Sequence, residues 1–339
     1  MAEDSDDGWR NRIVKLLQIL GPLLALVVVA IGFAIADQIW GQGRFIEMRN
    51  FRVVLSVTAP VAVAALGMTL IIIAGGIDLS AGTASMLSAT VLAYALSHEF
   101  SVPIAMLLTL GTGAICGLSN GLLIAILRIP PFIVTLGTMT IFLGIAKRLA
   151  GGSTVFVAKD QMPGWLSNLS STMPPDWLGM VPNIASGVWF ALLVACVVAA
   201  FLRLSKFGRH LFAIGSNEAT ARLCGINVPV TKILIYVLAG LLISLAGVYS
   251  LSIVKMANPV EGIGRELKFI AAVVIGGGSL SGGRGSVLGT LAGATIMGVI
   301  ASGCDQLGIS NSTQDIMIGV IIIAAVTLDQ YRRQRQERT

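Results

Sequence analysis

Charge is what this sequence has least of. Only 12% of its 339 residues are Asp, Glu, Lys or Arg, where a soluble domain carries about 25%. Hydrophobic residues make up 55%, and the mean hydropathy is +0.86. Half the usual charge over this length excludes a soluble globular body and places the chain in a bilayer. Cysteine is scarce too: Cys116, Cys196, Cys224 and Cys304 lie far apart with no CxxC among them. His98 and His210 have no ligand-like spacing to them, which argues against a disulfide framework and against a metal site. No GxxxxGK[ST] occurs, so the chain lacks a phosphate-cradling loop of its own; the glycine-rich GGGSLSGGRG at 276–285 lacks the Lys-Ser/Thr ending. No Ser/His/Asp constellation is legible. Neither an enzymatic activity nor a cofactor is called for.

Long apolar runs are what the chain has instead. A span needs ~20 mostly apolar residues. Segments 17–38, 53–74, 79–97, 102–126, 131–150, 184–202, 231–253, 267–277, 285–303 and 313–329 qualify or nearly do. The alternation of a membrane barrel is missing, and helices satisfy every backbone amide in lipid. The expectation is an all-α polytopic membrane protein of about ten transmembrane helices. Residues 1–16 form a cytoplasmic tail, 17–330 a single transmembrane domain and 331–339 a basic cytoplasmic tail. The first apolar run is too long for a signal-peptide core and is read as a retained span.

Ten spans with the N-terminus inside divide the 23 Lys and Arg residues into 14 cytoplasmic and 9 external. That excess fits the positive-inside rule. Arg265 and Lys268 fall among the external charges in this division, and GRFIEMRNFR at 43–52 is its main dissent. Two loops are long. The external one, 151–183, holds Pro, Gly and two Trp, as an interfacial connector or a docking surface would. The internal one, 203–232, is not simply polar. Within it Asn217 is a good N-cap, Glu218 suits the first turn, Gly225 is a good stop and Pro229 bars return to helix. The expected helix covers 218–224. So short a helix is not stable alone, so it either folds back on its own spans or fits a partner's groove. Its neighbours Leu211, Phe212, Ile214, Ile226 and Val228 supply apolar surface for either.

Five ordered stretches resemble one family. They are GMTLIIIAGGIDLSAG at 67–82, NGLLIAILRIPPFIVTLGTM at 120–139, RHLFAIGSNEATARLCGINV at 209–228, AAVVIGGGSLSGGRGSVLGTLAGA at 271–294 and IMIGVIIIAAVTLDQYRR at 316–333. The family is that of the monosaccharide permeases of ATP-binding cassette (ABC) importers, of ribose, xylose, arabinose and galactoside type. It is related to the branched-chain amino acid permeases. Lys268 departs from the acidic residue usual after GREL, and Gly278 from a common Thr. The resemblance implies a fold like the vitamin B12-type importers, in a bacterial cytoplasmic (inner) membrane. It implies a cytoplasmic ABC ATPase, an external, periplasmic sugar-binding protein and a second permease copy as partners, with no nucleic acid. It also implies that Gly215, Asn217, Glu218, Ala219, Ala221, Arg222 and Gly225 couple the ATPase to the membrane. The cargo would be a monosaccharide or related polyol. Rival readings are an ion-coupled secondary transporter, which needs mid-span ionisable relays, and a channel.

Two glycine-broken stretches hold the polar candidates. Asp78 follows Gly75–Gly76 and precedes a helix expected near Leu79, where it can accept free helix amides. Ser279 and Ser281 can do the same before a helix starting near Gly285. Alternatively Asp78, Ser80, Ser279 and Ser281 line the pathway or move with its gate, since polar groups in spans are expensive. Gly113–Gly117–Gly121 and Gly285–Gly289–Gly293 each put three glycines on one helix face, as close-packing seams. Asn120, beside the first seam, bridges helices or touches passing solute.

Overall fold

The computed structural model describes residues 4–172 and 184–337. Segment 173–183, with Trp177, and the last two residues of the basic tail lie outside them. Among the described residues the chain folds into thirteen α-helices, one 3-10 turn and a two-stranded ribbon. α1 is Asp4–Trp40, α2 Met48–Ile73, α3 Ala81–Ser97, α4 Val102–Ile126 and α5 Pro131–Leu149. After β1 (Val155–Phe156) come α6 (Gly164–Leu169), α7 (Ser186–Leu204), α8 (Lys206–Ser216), α9 (Glu218–Leu223) and α10 (Val228–Val254). β2 (Met256–Ala257), the 3-10 turn Pro259–Gly262, α11 (Arg265–Ile275), α12 (Val287–Gln306) and α13 (Asn311–Glu337) follow.

Each of the ten expected apolar segments is helical, but among the described residues seven helices are long and apolar enough to cross a bilayer. α3 has 17 residues and α11 only 11, so α11 is roughly 16 Å long, about half of a ~30 Å hydrocarbon layer. The chain is a multi-pass membrane protein whose centre is α2 and α10. Both are apolar all round, as a helix enclosed by other helices must be, and both are buried along most of their length. Pro60 sits inside α2 without ending it, because neighbouring helices in lipid can re-satisfy freed backbone groups.

Lipid tails are as apolar as side chains, so helices in a bilayer associate through close fit. The two glycine seams supply it. On α4, a Cβ at Gly113, Gly117 or Gly121 would collide with the α10 backbone at Gly240, Tyr236 and Ile233. On α12, a Cβ at Gly289 or Gly293 would strike the carbonyls of Gly276 and Ala272 on or next to α11, whereas Gly285, expected in the same seam, precedes the helix and abuts Ile73 of α2 instead.

Tertiary hydrogen bonds sort the connections to two ends. At one end Gly283 N donates to the Ile73 carbonyl (2.8 Å), Thr135 Oγ1 to that of Ile77 (3.2 Å) and Lys232 Nζ to Glu218 (2.7 Å). At the other, β1 pairs antiparallel with β2, and Ser302 Oγ and Gln306 Nε2 donate to Asn50 Oδ1. The tip of α6 is tied there as well, where Ser170 N donates to Ser252 Oγ (3.1 Å). The first end gathers the segments expected inside, and the second those expected outside.

Candidate functional site

The chain breaks sharply after α2. Gly75 has φ +80°, which a side chain would resist, and the backbone turns there before α3 begins. Asp78 lies in this turn with only 4% of its surface exposed. Its Oδ1 accepts from Ser80 N (2.8 Å) and Ser80 Oγ (2.6 Å). Asn120 Nδ2 on α4 donates to the same Ser80 Oγ (2.9 Å), and Thr138 Oγ1 on α5 donates to Asn120 Oδ1 (2.7 Å). One chain of bonds therefore ties the break to two neighbouring helices. Asn120 bridges helices here. The expectation for Asp78 needs correcting: α3 starts at Ala81, two residues later than expected, with Ser80 as N-cap making no side-chain cap bond. Asp78 satisfies the amide of that N-cap residue, one step outside the helix.

The second break behaves otherwise. α12 begins at Val287, and Ser286 caps it by accepting from Gly289 N (3.0 Å). Ser279 and Ser281 do not cap it. Ser279 is buried in a turn where its N–H donates to the Arg284 carbonyl (3.1 Å), whereas Ser281 is exposed. This turn is held by Gly277, Gly282 and Gly283, all at positive φ. Next to it Gly215, near the end of α8, presses on the Ile73 carbonyl and on Gly283 N, so closely that a Cβ would have no room. Both membrane breaks thus meet on one glycine of the α8–α9 segment.

α9 carries the rest of that segment. Asn217 caps it, its Oδ1 accepting from Thr220 N (2.9 Å), and Gly225 closes it at φ +83°. Cys224 is the C-cap, so the helix ends one residue before the expected 224. Of the two alternatives for the flanking apolar residues, the chain takes the first, and they fold inward. Ile214 and Val228 pack with Ala221 in a small core under the helix, and Leu211 is buried beneath α8. What α9 presents outward is Ala219, Arg222 and Leu223, the last 88% exposed. Glu218 does not wait for an outside partner. It pairs with Arg222 (3.1 Å) and with Lys232 on α10 (2.7 Å). Burial pushes the Glu218 carboxyl up, but Lys232 and Arg222 outweigh that and hold it below the usual glutamate range.

Sequence reasoning missed three groups of residues. Thr138 closes the Asp78 network from a stretch noticed only as a motif. Lys232 had been counted as a topology charge and is in fact the anchor of Glu218. Arg265 and Lys268, counted among the external charges, stand at the start of α11 and line a cavity together with residues of α2, α3, α10, α12 and α13, with Arg265 beside Ser250 near the end of α10.

The model of one protein family, described as "branched-chain amino acid transport system / permease component", matches residues 50–326. The chain is 38% identical to the ribose import permease protein of Bacillus subtilis (strain 168), covering 93% of each chain. It is 34% identical to the fructose import permease protein of Rhizobium meliloti, over 92% of this chain and 85% of that one. A solved structure ascribed to a metal-chelate type ABC transporter, in an inward-facing conformation, superposes with a TM-score of 0.50 at 17% identity. It covers 92% of this chain and 98% of its own, a likeness of fold alone.

Proposed function

We propose, given that the chain belongs to the family of branched-chain amino acid transport system permease components, that it is the membrane permease of an ATP-driven importer for a monosaccharide or related polyol. Ribose and fructose import permeases are its relatives over nearly the whole chain, which favours a sugar over an amino acid. ATP is hydrolysed by a separate cytoplasmic ATPase, and an external binding protein delivers the sugar. A second permease copy completes the pathway in the bacterial cytoplasmic membrane.

One observation carries the coupling role: the α8–α9 segment touches both membrane breaks at Gly215 while turning Leu223 to the outside. A partner that moves α9 moves Gly215, and through it the Ile73 and Gly283 backbones. Asp78, Ser80 and Asn120 hold the first break to α4 and α5, so that displacement is passed to the spans. Ser279 and Ser281 lie in the second break and travel with it. Gly215, Asn217, Glu218, Ala219, Ala221, Arg222 and Gly225 are the coupling residues on this reading, with Leu223 added.

The test is uptake in proteoliposomes holding the permease, its ATPase and its binding protein. Labelled monosaccharide should accumulate only with ATP and should be indifferent to collapse of proton and sodium gradients. Leu223→Asp should lower ATPase co-purification and uptake with little change in thermal stability, because the side chain is 88% exposed. Uptake that continues without ATP and stops with the ion gradient would make the protein a secondary transporter instead.

A further inference from the structure

The cavity beside α11 has a volume of about 230 Å³. That is below the ~300–1,000 Å³ of pockets for drug-sized ligands and suits a solute of monosaccharide size. Its place follows from Arg265, which donates to Ser250, two residues before the Ser252 that ties α6 at the end opposite the coupling segment. Ile253 and Val254, the last residues of α10, line it too. The cavity therefore lies toward that end, where a solute handed over from outside would arrive.

The two cations are not equivalent. Arg265 is neutralised: it donates to Glu261 Oε2 (3.1 Å) and to Ser250 Oγ (2.6 Å). Lys268, one turn further along α11, has no ion pair or hydrogen-bond acceptor among the described residues and lines the same cavity. Glu266 offers no relief, because it turns to Gly82 of α3 and is not part of the lining. Gln314 on α13 is only 6% exposed, lines the cavity, and has no side-chain hydrogen bond among the described residues. Ser85 Oγ spends its proton on the Gly82 carbonyl (2.7 Å) and keeps lone pairs to accept with. The remaining walls are largely apolar, among them Val57, Pro60, Phe269 and Met297.

We infer that this cavity is a solute site selective for an acidic monosaccharide, its carboxylate on Lys268 and its hydroxyls on Gln314, Ser85 and Ser250. An unpaired ammonium beside largely apolar walls gains most from a counter-charge, and a neutral sugar brings none. The inference rests on the sugar-permease reading and narrows its cargo to sugars bearing one negative charge.

D-galacturonate and D-galactose are suitable probes, since they share a ring and differ in the carboxylate. Equilibrium dialysis would use the full chain in nanodiscs of neutral phospholipid. Galacturonate should bind at least about tenfold more tightly than galactose. Lys268→Gln should remove that preference and Lys268→Arg should keep it, with unchanged size-exclusion profiles. Should Lys268→Gln fail to fold, the wild-type preference between the two sugars still decides. Equal binding of the two, no binding of galacturonate, or a preference that survives Lys268→Gln would each overturn the inference. So would native mass spectrometry showing anionic phospholipid held by the wild type and lost in the variant, which makes this a lipid site. Uptake by the complete importer separates the two levels. ATP-driven uptake of neutral sugars alone defeats this inference and leaves the permease reading intact, whereas no uptake of either class defeats that reading.

Discussion

Asp78 shows how a polar side chain persists among packed helices: one of its oxygens is spent on donors held close by in the turn. Ser80 supplies two of them, and Asn120 and Thr138 extend the chain of bonds to α4 and α5. Asn in place of Asp keeps an acceptor oxygen toward Ser80, so Asp78→Asn should be mild in thermal unfolding. Asp78→Leu leaves the buried Ser80 amide unsatisfied and should cost about 1–3 kcal/mol. If Asp78→Leu melts like the wild type, this network carries no stability. Glu218 sits outside the membrane and titrates differently. Its carboxyl is held below the usual range, so it stabilises the anchoring of α9 above the unfolded value of ~4.3, and that contribution is lost as pH falls through the lower folded value. Hydrogen exchange of α9 amides should therefore quicken at acid pH in the wild type. In Glu218→Gln the exchange should already be raised at neutral pH, with a flatter response to acid.

At the scale of elements, pattern was legible where one helix decides its own fate. The caps Asn217 and Gly225, the α4 seam and the extents of α2 and α10 follow from residue chemistry within a single segment. What failed to show was decided between segments. Ser286 takes the α12 cap from Ser279 and Ser281 because the glycines at 277, 282 and 283 fold that stretch into a turn first. That Arg265 and Lys268 line a cavity did not show, because its other walls come from five other helices. Whether the apolar flank of α9 turns inward or outward stayed open because nothing local says that Ala221 faces Ile214 and Val228. The seam yields its own prediction. Gly117→Val places a branched side chain against the Tyr236 backbone on α10, where neither helix can give way. Overpacking of this kind costs about 1–3 kcal/mol or more, and a lowered unfolding temperature in nanodiscs would register it. Gly111, with open space around it, is the control on the same helix.

For the whole molecule the question is which end faces the cytoplasm and whether that end moves as a unit. The structure gathers the α2–α3 turn, the turn before α12, and α8–α9 at one end, and the β1–β2 ribbon and α6 at the other. The basic excess of the first end is the argument for placing it in the cytoplasm. Cysteine introduced at Asn217 should label only from the cytoplasmic side, and at Ser171 only from outside; Asn217 labelling on intact cells would invert the molecule and remove the ATPase from α9. Gly215 tests the movement. An Ala there strikes the Ile73 carbonyl and Gly283 N, which are backbone atoms of two different breaks, so the strain cannot be relieved by one rotamer. Gly215→Ala should push α8 off both breaks at once, leaving the ATPase bound, since Leu223 still projects, while uptake per ATP hydrolysed falls. A variant that hydrolyses ATP and transports at the wild-type ratio would mean that the α8 contact is packing alone, and that the signal reaches the spans by some route other than Gly215.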